Sequence, residues 1–502
     1  MAEFVTNVAQ QGNNILVRGY HDDGSRLQRK VKYAPYLFVP SDREEAHKTI
    51  DGRNVRQLEF ESISHAREHL KTFDGVEGYE TYGYERWPHV FLYDEYKDQE
   101  PDISQVRVCA YDIEVDSSAG FPRPEEASKE VLTVAFRHKN LRIVFGTREC
   151  NDPGEGVYYA QCKDEQDLLA QVIDHWVKSD FDVITGWNIN LFDTPYLVNR
   201  ISQVLGEGAV KRLSPWNRVL ARTVTIGFKQ HTVYDIVGIS SLDYLDVYKK
   251  FQLAPRDSYK LDEIASVELK RKKVDFRSDG YTTLSDLYER NYDLFVQYNI
   301  VDADLVFELD EHLGYFNQLM TLTYFAGVNY VDGLGSLMMW DTKIHNYLMD
   351  RHIVVPTRKH VNKTTSNVGG YVKDPQVGKH NWVVSYDLDS LYPHIMMQYN
   401  ISPDTKVPYE SLPTEVQDLV DNISVDAVLN SRIENMTEIL QKYNIAMAAN
   451  GNVYRRDRTG FLSALMNDLY AQRKDYKRKM IEAKQRYELI EREMARRGLL
   501  DE

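Results

Sequence analysis

Strand-like and helix-like apolar patterns alternate from about residue 104 to residue 330, and this alternation constrains the fold more than any other feature. The runs "VRVCAYDIEVD" and "DVITG" are typical of buried strands, and apolar residues recur at helical spacing after the second one. Strands that alternate with helices pack as a sheet covered by helices, so the pattern predicts an α/β domain. Within it, residues 222–239 resemble a long β-hairpin with its turn near Lys229–His231.

The 502 residues are too many for one hydrophobic core, so further regions are expected. Before residue 104, short β-rich runs such as "NILVRGY", "YLFVP" and "HVFLYDEY" surround one helical stretch near "SISHAREHLKTF". A connecting segment follows over 331–375, then a strand at "SYDLD", then a mainly helical part. The predicted fold class is multidomain, with α/β and α+β parts.

Composition excludes several classes of protein. The net charge of −15 argues against a generally basic surface and does not exclude a local basic face. Three cysteines without metal-ligand spacing favour a reducing compartment and indicate no disulfide framework. Neither a signal peptide nor an apolar run of membrane-spanning length is visible, so we expect a cytoplasmic protein without a membrane partner.

The triplet in "AYDIEVD" places Asp112 and Glu114 two residues apart on a strand, hence on one face. Two adjacent carboxylates repel each other unless a cation lies between them, so the pair suits Mg²⁺ or Mn²⁺. By itself the triplet is weak evidence, because a solvated strand edge carries the same pattern.

Two further acidic positions follow. In "DVITGWNINLFDTPYLVNR" a strand ends at Gly186 and a helix opens near Pro195, which puts Asp193 at a helix entrance. There an acid is also favoured by the helix dipole alone. In "QYNIVDAD", Tyr298 and Asp302 lie four residues apart on one helix face, as in many amphipathic helices.

Taken in order, these motifs resemble the 3′–5′ exonuclease domain of family B DNA polymerases, a tyrosine-type DEDD nuclease on a ribonuclease-H-like fold. The resemblance implies that two Mg²⁺ or Mn²⁺ ions bind at the exonuclease site. Their ligands would be Asp112, Glu114, Asp193 and Asp302, with Tyr298 positioning the hydrolytic water. Asn188 and Phe192 would contact the 3′ end of the strand, and two cations can stabilise both the attacking and the leaving oxygen of a phosphodiester.

The stretch "SYDLDSLYPHI" resembles polymerase motif A of the same family, and we expect a buried strand to deliver Asp387 to a tight turn. By this resemblance, Asp387 binds two catalytic metals and the Leu388 carbonyl one of them. The triplet that follows would bind the nucleotide: Ser390 and Leu391 at the triphosphate, and Tyr392 beneath the sugar. "NVGGYV" resembles the region between exonuclease and palm, although Asn367 replaces its tyrosine, and implies that Gly369 and Gly370 contact the template strand.

The basic helix in "AQRKDYKRKM" resembles the first fingers helix of the polymerases of T-even-type bacteriophages and cyanophages. Arg473 and Lys477 match the residues that hold the incoming triphosphate there, whereas a charged surface helix is usually only solvated. The resemblance covers essentially the whole chain. It implies these domains: 1–103 N-terminal; 104–330 exonuclease; 331–375 return segment of the N-terminal domain; 376–455 partial palm; 456–502 first half of the fingers.

Two motifs of the family do not occur in the sequence: motif B of the second fingers helix and the Asp-Thr-Asp of motif C. The thumb is missing too. The chain therefore resembles the N-terminal three-fifths of a replicative polymerase, interrupted at the tip of the fingers. A natural split, with a second chain docking on palm and fingers, and a gene fragment both fit. The complete final helix favours the split.

We therefore expect a proofreading exonuclease that contributes half of a polymerase site. Primer–template DNA, single-stranded 3′ ends, dNTPs and a C-terminal polymerase chain are the implied partners, and a sliding clamp would bind only through that second chain. Two alternatives stay open: a non-catalytic DNA-binding scaffold, and a stand-alone DEDD exonuclease. The second would leave motif A and the basic helix without a purpose.

Overall fold

The computed structural model describes residues 3–118, 120–357, 372–430 and 432–498. The strands are β1 (Glu3–Gln11), β2 (Asn14–His21), β3 (Arg26–Lys32), β4 (Tyr36–Pro40), β5 (His47–Thr49), β6 (Asn54–Glu59), β7 (Val108–Val115), β8 (Val131–His138), β9 (Leu141–Gly146), β10 (Tyr158–Gln161), β11 (Val183–Thr185), β12 (Val219–Ile226), β13 (Lys229–Ile236), β14 (Ser240–Ser241), β15 (Ile353–Val354), β16 (Lys406–Val407), β17 (Ile445–Met447) and β18 (Val453–Arg455). The helices are α1 (Ile63–Thr72), α2 (Trp87–Tyr96), α3 (Glu165–Ser179), α4 (Asp193–Leu205), α5 (Glu207–Lys211), α6 (Tyr244–Phe251), α7 (Leu261–Leu269), α8 (Leu284–Arg290), α9 (Tyr292–Leu313), α10 (Tyr315–Ala326), α11 (Ser336–Met349), α12 (Leu391–Tyr399), α13 (Thr414–Asn422), α14 (Val425–Leu429), α15 (Met436–Lys442) and α16 (Phe461–Arg496). Two compact units result, one of residues 1–39 with 57–346 and one of residues 40–56 with 347–502.

A mixed sheet of six strands forms the centre of the first unit, in the order β10-β9-β8-β7-β11-β14. Strand β8 runs antiparallel to its neighbours β7 and β9, whereas β11 pairs in parallel with both β7 and β14. Helices α3 and α4 pack on this sheet through buried apolar residues, among them Leu169, Ile173 and Leu197. Helix α9 packs through Val296, Ile300 and Leu305. This sheet covered by helices confirms the predicted α/β domain.

The N-terminal strands β1, β2 and β3 form a separate antiparallel sheet in the same unit. Its Arg18 is only 1% exposed and donates to the carbonyl oxygens of Phe181, at 2.8 Å, and Gly238, at 2.9 Å. Arg18 also forms an ion pair with Asp180. A buried guanidinium needs such partners because an unpaired charge is costly to bury. This side chain therefore ties the N-terminal sheet to the central sheet.

In the second unit, β5 pairs with β6 and with β15. Farther along, β16, β18 and β17 form a small antiparallel sheet. Its apolar face packs with α13 and α15 around Val416 and Val453. Helix α12 packs against the long helix α16, where Ser463 donates to the Met396 carbonyl oxygen at 2.9 Å. The β-rich start, the α/β centre and the helical end confirm the predicted multidomain fold class.

Three local predictions are wrong. The run "HVFLYDEY" lies in helix α2, which has Pro88 in its first turn, because a short apolar run fits a buried helix as well as a strand. The turn of the hairpin β12–β13 falls at Gly227–Phe228, with φ of 62° at Gly227, rather than near Lys229–His231. The predicted strand at "SYDLD", residues 385–389, does not form, since no other strand in the described parts of the chain pairs with these residues.

Candidate active site

Strand β7 carries the first two candidate ligands. Tyr111, Ile113 and Val115 point into the core and are at most 6% exposed, so the alternation of the strand turns Asp112 and Glu114 to the opposite face. Pairing of Asp112 with Ala135 and of Glu114 with Thr133 on β8 holds this register.

Helix α9 brings the third carboxylate to this face. The Asn291 side chain caps the helix by accepting from the backbone N–H of Leu294 at 3.1 Å, and Gly314, with φ of 67°, ends it. Asp302, buried in the middle of α9, lies so close that it, Asp112 and Glu114 each offer an oxygen within 4.8 Å of the other two. The structure thus groups three of the four predicted metal ligands.

Asp193 lies beside this group without joining it. It stands in the first turn of α4, 5% exposed, and its carboxylate accepts from the backbone N–H of Ile113 at 3.2 Å. Next to it, the hydroxyl groups of Thr194 and Tyr111 are 2.5 Å apart. These contacts fix the start of α4 against the strand between the two β7 carboxylates.

Burial and mutual repulsion dominate the electrostatics of the cluster. Burial, then the charges of Asp193, Asp302 and Glu114, hold the pKa of Asp112 well above its ordinary value. For similar reasons the pKa of Glu114 rises to about 8, and burial raises that of Asp193 to about 7. The free-energy cost of ionising these buried, mutually repelling carboxylates falls when a cation binds between them.

Lys273, which the sequence analysis missed, supplies a positive charge at the cluster. Its ammonium forms an ion pair with Asp302 and lies 4.8 Å from the centre of the Tyr298 ring. Burial alone would lower the pKa of Lys273, but the charges of Asp302 and Tyr298 and the hydrogen bonds to both side chains together outweigh burial and raise the pKa. The run "KRKK" at 270–273 indicates a solvated loop, and nothing in its spacing reveals which lysine turns inward.

The donor set fits Mg²⁺ or Mn²⁺. All candidate ligands are oxygen atoms, as hard divalent cations require. Asp302 Oδ1 is buried and has no hydrogen-bond partner among the residues that the structure describes, so it is available as a ligand. The ion pair of Lys273 with Asp302 shows that a positive charge is accommodated next to these carboxylates.

A loop between β11 and α4 carries the predicted contacts to a strand end. Asn188 adopts φ of 67°, in the left-handed region that is uncommon for residues other than glycine. The buried carboxylate of Asp243 stabilises this conformation. It accepts hydrogen bonds from the backbone N–H groups of Asn188, at 2.9 Å, and Asn190, at 3.1 Å. The Phe192 ring lies 4.6 Å from the ring of Phe121, which is 74% exposed. Neither Asp243 nor Phe121 was predicted, because both reach the loop from distant parts of the sequence.

The second predicted site lies in the second unit. Asp387, Leu388 and Tyr392 are exposed, and Ser390, with φ of 52°, forms the sharp turn that begins α12, where Leu391 follows. Asp389 contacts α16: the Tyr470 hydroxyl donates to it at 3.1 Å, and Arg473 lies 3.9 Å away. Arg473 and Lys477 are exposed one turn apart on that helix. The structure thus brings the motif-A turn and Arg473 together.

Gly369 and Gly370, the predicted template contacts, lie outside the described residues. Within the described ranges, no helix combines the length and the apolar character needed to cross a membrane.

Comparison with known proteins identifies the family. The model "DNA polymerase family B, exonuclease domain" matches residues 88–264, and the model "DNA polymerase family B" matches residues 341–494. The DNA-directed DNA polymerases of Enterobacteria phage T4 and Escherichia phage RB69 are each 29% identical to this chain over 98% of its length. The DNA polymerase delta catalytic subunit of Dictyostelium discoideum is 26% identical over 62% of this chain and 29% of its own length.

The chain spans about half the length of the two phage polymerases, 56% of one and 55% of the other. The exonuclease match contains the carboxylates of β7 and the start of α4, and the polymerase match contains the motif-A turn and most of α16. The chain therefore belongs to the family B DNA polymerases.

Proposed function

We propose that this chain is a 3′–5′ exonuclease that removes nucleotides from DNA 3′ ends by hydrolysis with two divalent metal ions. The main support is the group of three carboxylates, Asp112, Glu114 and Asp302, with oxygens within 4.8 Å of one another. Two of them, Asp112 and Glu114, lie within the match to the family's exonuclease domain. In this proposal Asp112, Glu114, Asp193 and Asp302 hold two Mg²⁺ or Mn²⁺ ions. When bound, such ions stabilise the attacking and leaving oxygens of a phosphodiester.

The side chains around the carboxylates would orient the reactants. The phenol of Tyr298, above the ion pair of Lys273 and Asp302, would hold the attacking water by a hydrogen bond. Burial, then the charge of Asp302, raises its pKa above the ordinary value, so the hydroxyl keeps its proton at neutral pH. The Lys273 ammonium would approach the scissile phosphate and offset its developing negative charge.

An unpaired terminal nucleotide would be held by the loop between β11 and α4. The facing rings of Phe121 and Phe192 form an exposed aromatic surface on which a base can stack. Asn188, on the same loop, would hydrogen-bond to the terminal nucleotide. Stacking does not depend on which base is present, as expected for an exonuclease that proofreads every sequence.

A gel assay with 5′-labelled single-stranded DNA and Mg²⁺ tests this proposal. We expect the wild-type chain to shorten the strand from its 3′ end, and Asp112→Ala/Glu114→Ala to leave it intact. Asp174→Ala/Glu207→Ala, which removes two exposed carboxylates of the same unit, serves as the matched control and should retain activity. A wild-type chain without activity would favour a non-catalytic scaffold that binds DNA.

We further infer that the chain contributes half of a polymerase site, supported by the polymerase-domain match and by the 3.9 Å approach of Arg473 to Asp389. Asp387 and the Leu388 carbonyl would bind two Mg²⁺ or Mn²⁺ ions. The incoming dNTP would meet Ser390, Leu391, Tyr392, Arg473 and Lys477, and the template Gly369 and Gly370.

The remaining metal ligands and the second fingers helix would come from residues outside this sequence, whether on a second chain or in a longer protein. Primer–template DNA is the expected substrate, and a sliding clamp would bind through that other part. The domain limits given above, with the exonuclease at 104–330, belong to this proposal.

Primer extension tests the polymerase assignment. When the chain is combined with a C-terminal family B fragment that carries motifs B and C, we expect dNTP incorporation. Asp387→Ala should abolish incorporation and leave exonuclease activity intact. Incorporation by Asp387→Ala would remove motif A from the site.

A further inference from the structure

Asn299 is a buried amide in direct contact with the carboxylate cluster. It lies on α9 between Tyr298 and Asp302 and is 0% exposed. Its Nδ2 donates to Asp112 Oδ2 at 2.8 Å. Asn299 and Asp302 are three residues apart, so the helix turns both toward β7.

The chemistry of the two groups fixes the orientation of the amide. When a divalent cation is bound to the cluster, Asp112 is ionised and can only accept a hydrogen bond, so an amide oxygen turned toward it would be repelled. The Nδ2 group must therefore face Asp112. Asn299 Oδ1 is then buried and finds no hydrogen-bond partner within the described ranges.

Packing alone does not account for this amide. A leucine has nearly the same shape and would avoid burying an unpaired acceptor. The contact that only an amide provides here is the hydrogen bond to one chosen oxygen of Asp112. Groups that hydrogen-bond to metal ligands in this way fix the orientation of the ligand and its affinity for the ion.

We propose that Asn299 is a positioning residue for divalent cation binding. It fixes Asp112 Oδ2 so that the carboxylate presents a single orientation to the cluster of Glu114 and Asp302. This inference rests on the proposed exonuclease function, because it assumes that the cluster holds metal ions. Asn299 itself contacts neither the ions nor the DNA in this proposal.

Mn²⁺ binding to the full chain without DNA, measured by electron paramagnetic resonance, tests the inference directly. We expect Asn299→Leu to bind Mn²⁺ about 10- to 100-fold more weakly than the wild type. Asn299→Ala lacks the same donor without adding bulk, so it should weaken binding to a similar extent. The matched control is Asn199→Leu, which removes an amide from α4 that bonds to Pro124 and Tyr234 and not to the cluster.

A second readout separates positioning from a structural role. The metal-free Asn299→Leu chain should melt no lower than Asn199→Leu, and its exonuclease activity should recover at saturating Mn²⁺. Normal Mn²⁺ affinity in both Asn299 variants would overturn the inference while leaving the proposed function standing. If the wild type bound no more Mn²⁺ than Asp112→Ala/Glu114→Ala, the inference and the two-metal proposal would both be wrong.

Discussion

At the residue scale, Lys273 neutralises part of the negative charge of the carboxylate cluster. Its ammonium pairs with Asp302 in a site where burial and repulsion raise the pKa values of the carboxylates. One cation built into the protein removes part of this repulsion, so the site can form before any metal binds.

Lys273→Met should separate metal binding from catalysis. Loss of the ammonium removes a cation that competes with the metal ion for Asp302, so we expect Mn²⁺ to bind several-fold more tightly. Hydrolysis at saturating metal should nevertheless fall about 100-fold, because a donor that meets the developing phosphate charge is gone. Lys272→Met, at the exposed neighbouring position, is the control. A hydrolysis rate equal to that of the control would show that Lys273 only neutralises Asp302.

His175 provides a test of pH dependence away from the site. Burial, then the neighbouring His138 and Lys178, lowers its pKa from 6.5 to about 4. The unfolded chain therefore binds a proton at His175 more readily than the folded chain, and stability should fall as the pH drops from 6.5 toward 4. Since the residue is partly exposed, we expect a loss on the order of 2 kcal/mol from this group.

Urea unfolding at pH 7.5 and pH 4.5 measures this effect. His175→Gln should lose less stability between the two pH values than the wild type, because glutamine does not titrate. The difference between the two chains isolates the contribution of His175 from that of the many carboxylates that titrate in the same range. An identical loss in both chains would contradict the assigned pKa.

At the scale of secondary-structure elements, the loop between β11 and α4 depends on Asp243. This buried carboxylate accepts from the backbone N–H groups of Asn188 and Asn190 and caps α6 through Leu245 at 3.1 Å. Burial raises its pKa to about 7. The loop that would bind the strand end is thus held by a residue some fifty positions away.

Asp243→Ala should loosen this loop. Removing the carboxylate leaves two loop N–H groups without their acceptor and uncaps α6, which should cost about 3 kcal/mol. We expect faster hydrogen exchange at 187–192 and a higher KM for single-stranded DNA. Asp246→Ala, one turn along the same helix at an exposed position, should change neither quantity. Unchanged exchange at 187–192 would show that the loop is held by other contacts.

Elements with a local signal could be predicted from the sequence. The alternation of β7 places Asp112 and Glu114 on one face without any knowledge of the fold, and the spacing of Tyr298 and Asp302 does so on α9. Lys273, Asp243 and Asn299 could not be assigned, because their roles depend on contacts between elements distant in sequence. The strand prediction at residues 385–389 was wrong for the same reason, since a strand requires a paired neighbour.

At the scale of the whole first unit, the connection between the N-terminal sheet and the central sheet depends on buried charges. Arg18 bonds to the carbonyl oxygens of Phe181 and Gly238. On the adjacent strand Arg26 contacts Asp182 at 2.5 Å, and the Tyr20 hydroxyl donates to the same carboxylate at 2.5 Å. Such a network holds two sheets in one arrangement only while every member is paired.

Arg18→Met should therefore lower the stability of the N-terminal sheet more than that of the central sheet. Loss of the guanidinium leaves the buried carbonyl oxygens of Phe181 and Gly238 without this donor, while Asp180 keeps its ion pairs with Arg26 and Arg107. We expect this loss to destabilise the unit by about 3 kcal/mol. We expect hydrogen exchange to accelerate throughout β1, β2 and β3, while the strands of the central sheet stay protected. Arg29→Met, on β3 with a side chain 44% exposed, should have little effect because an exposed ion pair contributes little. If exchange instead rose equally in both sheets, the network would support the whole unit rather than the connection between its two sheets.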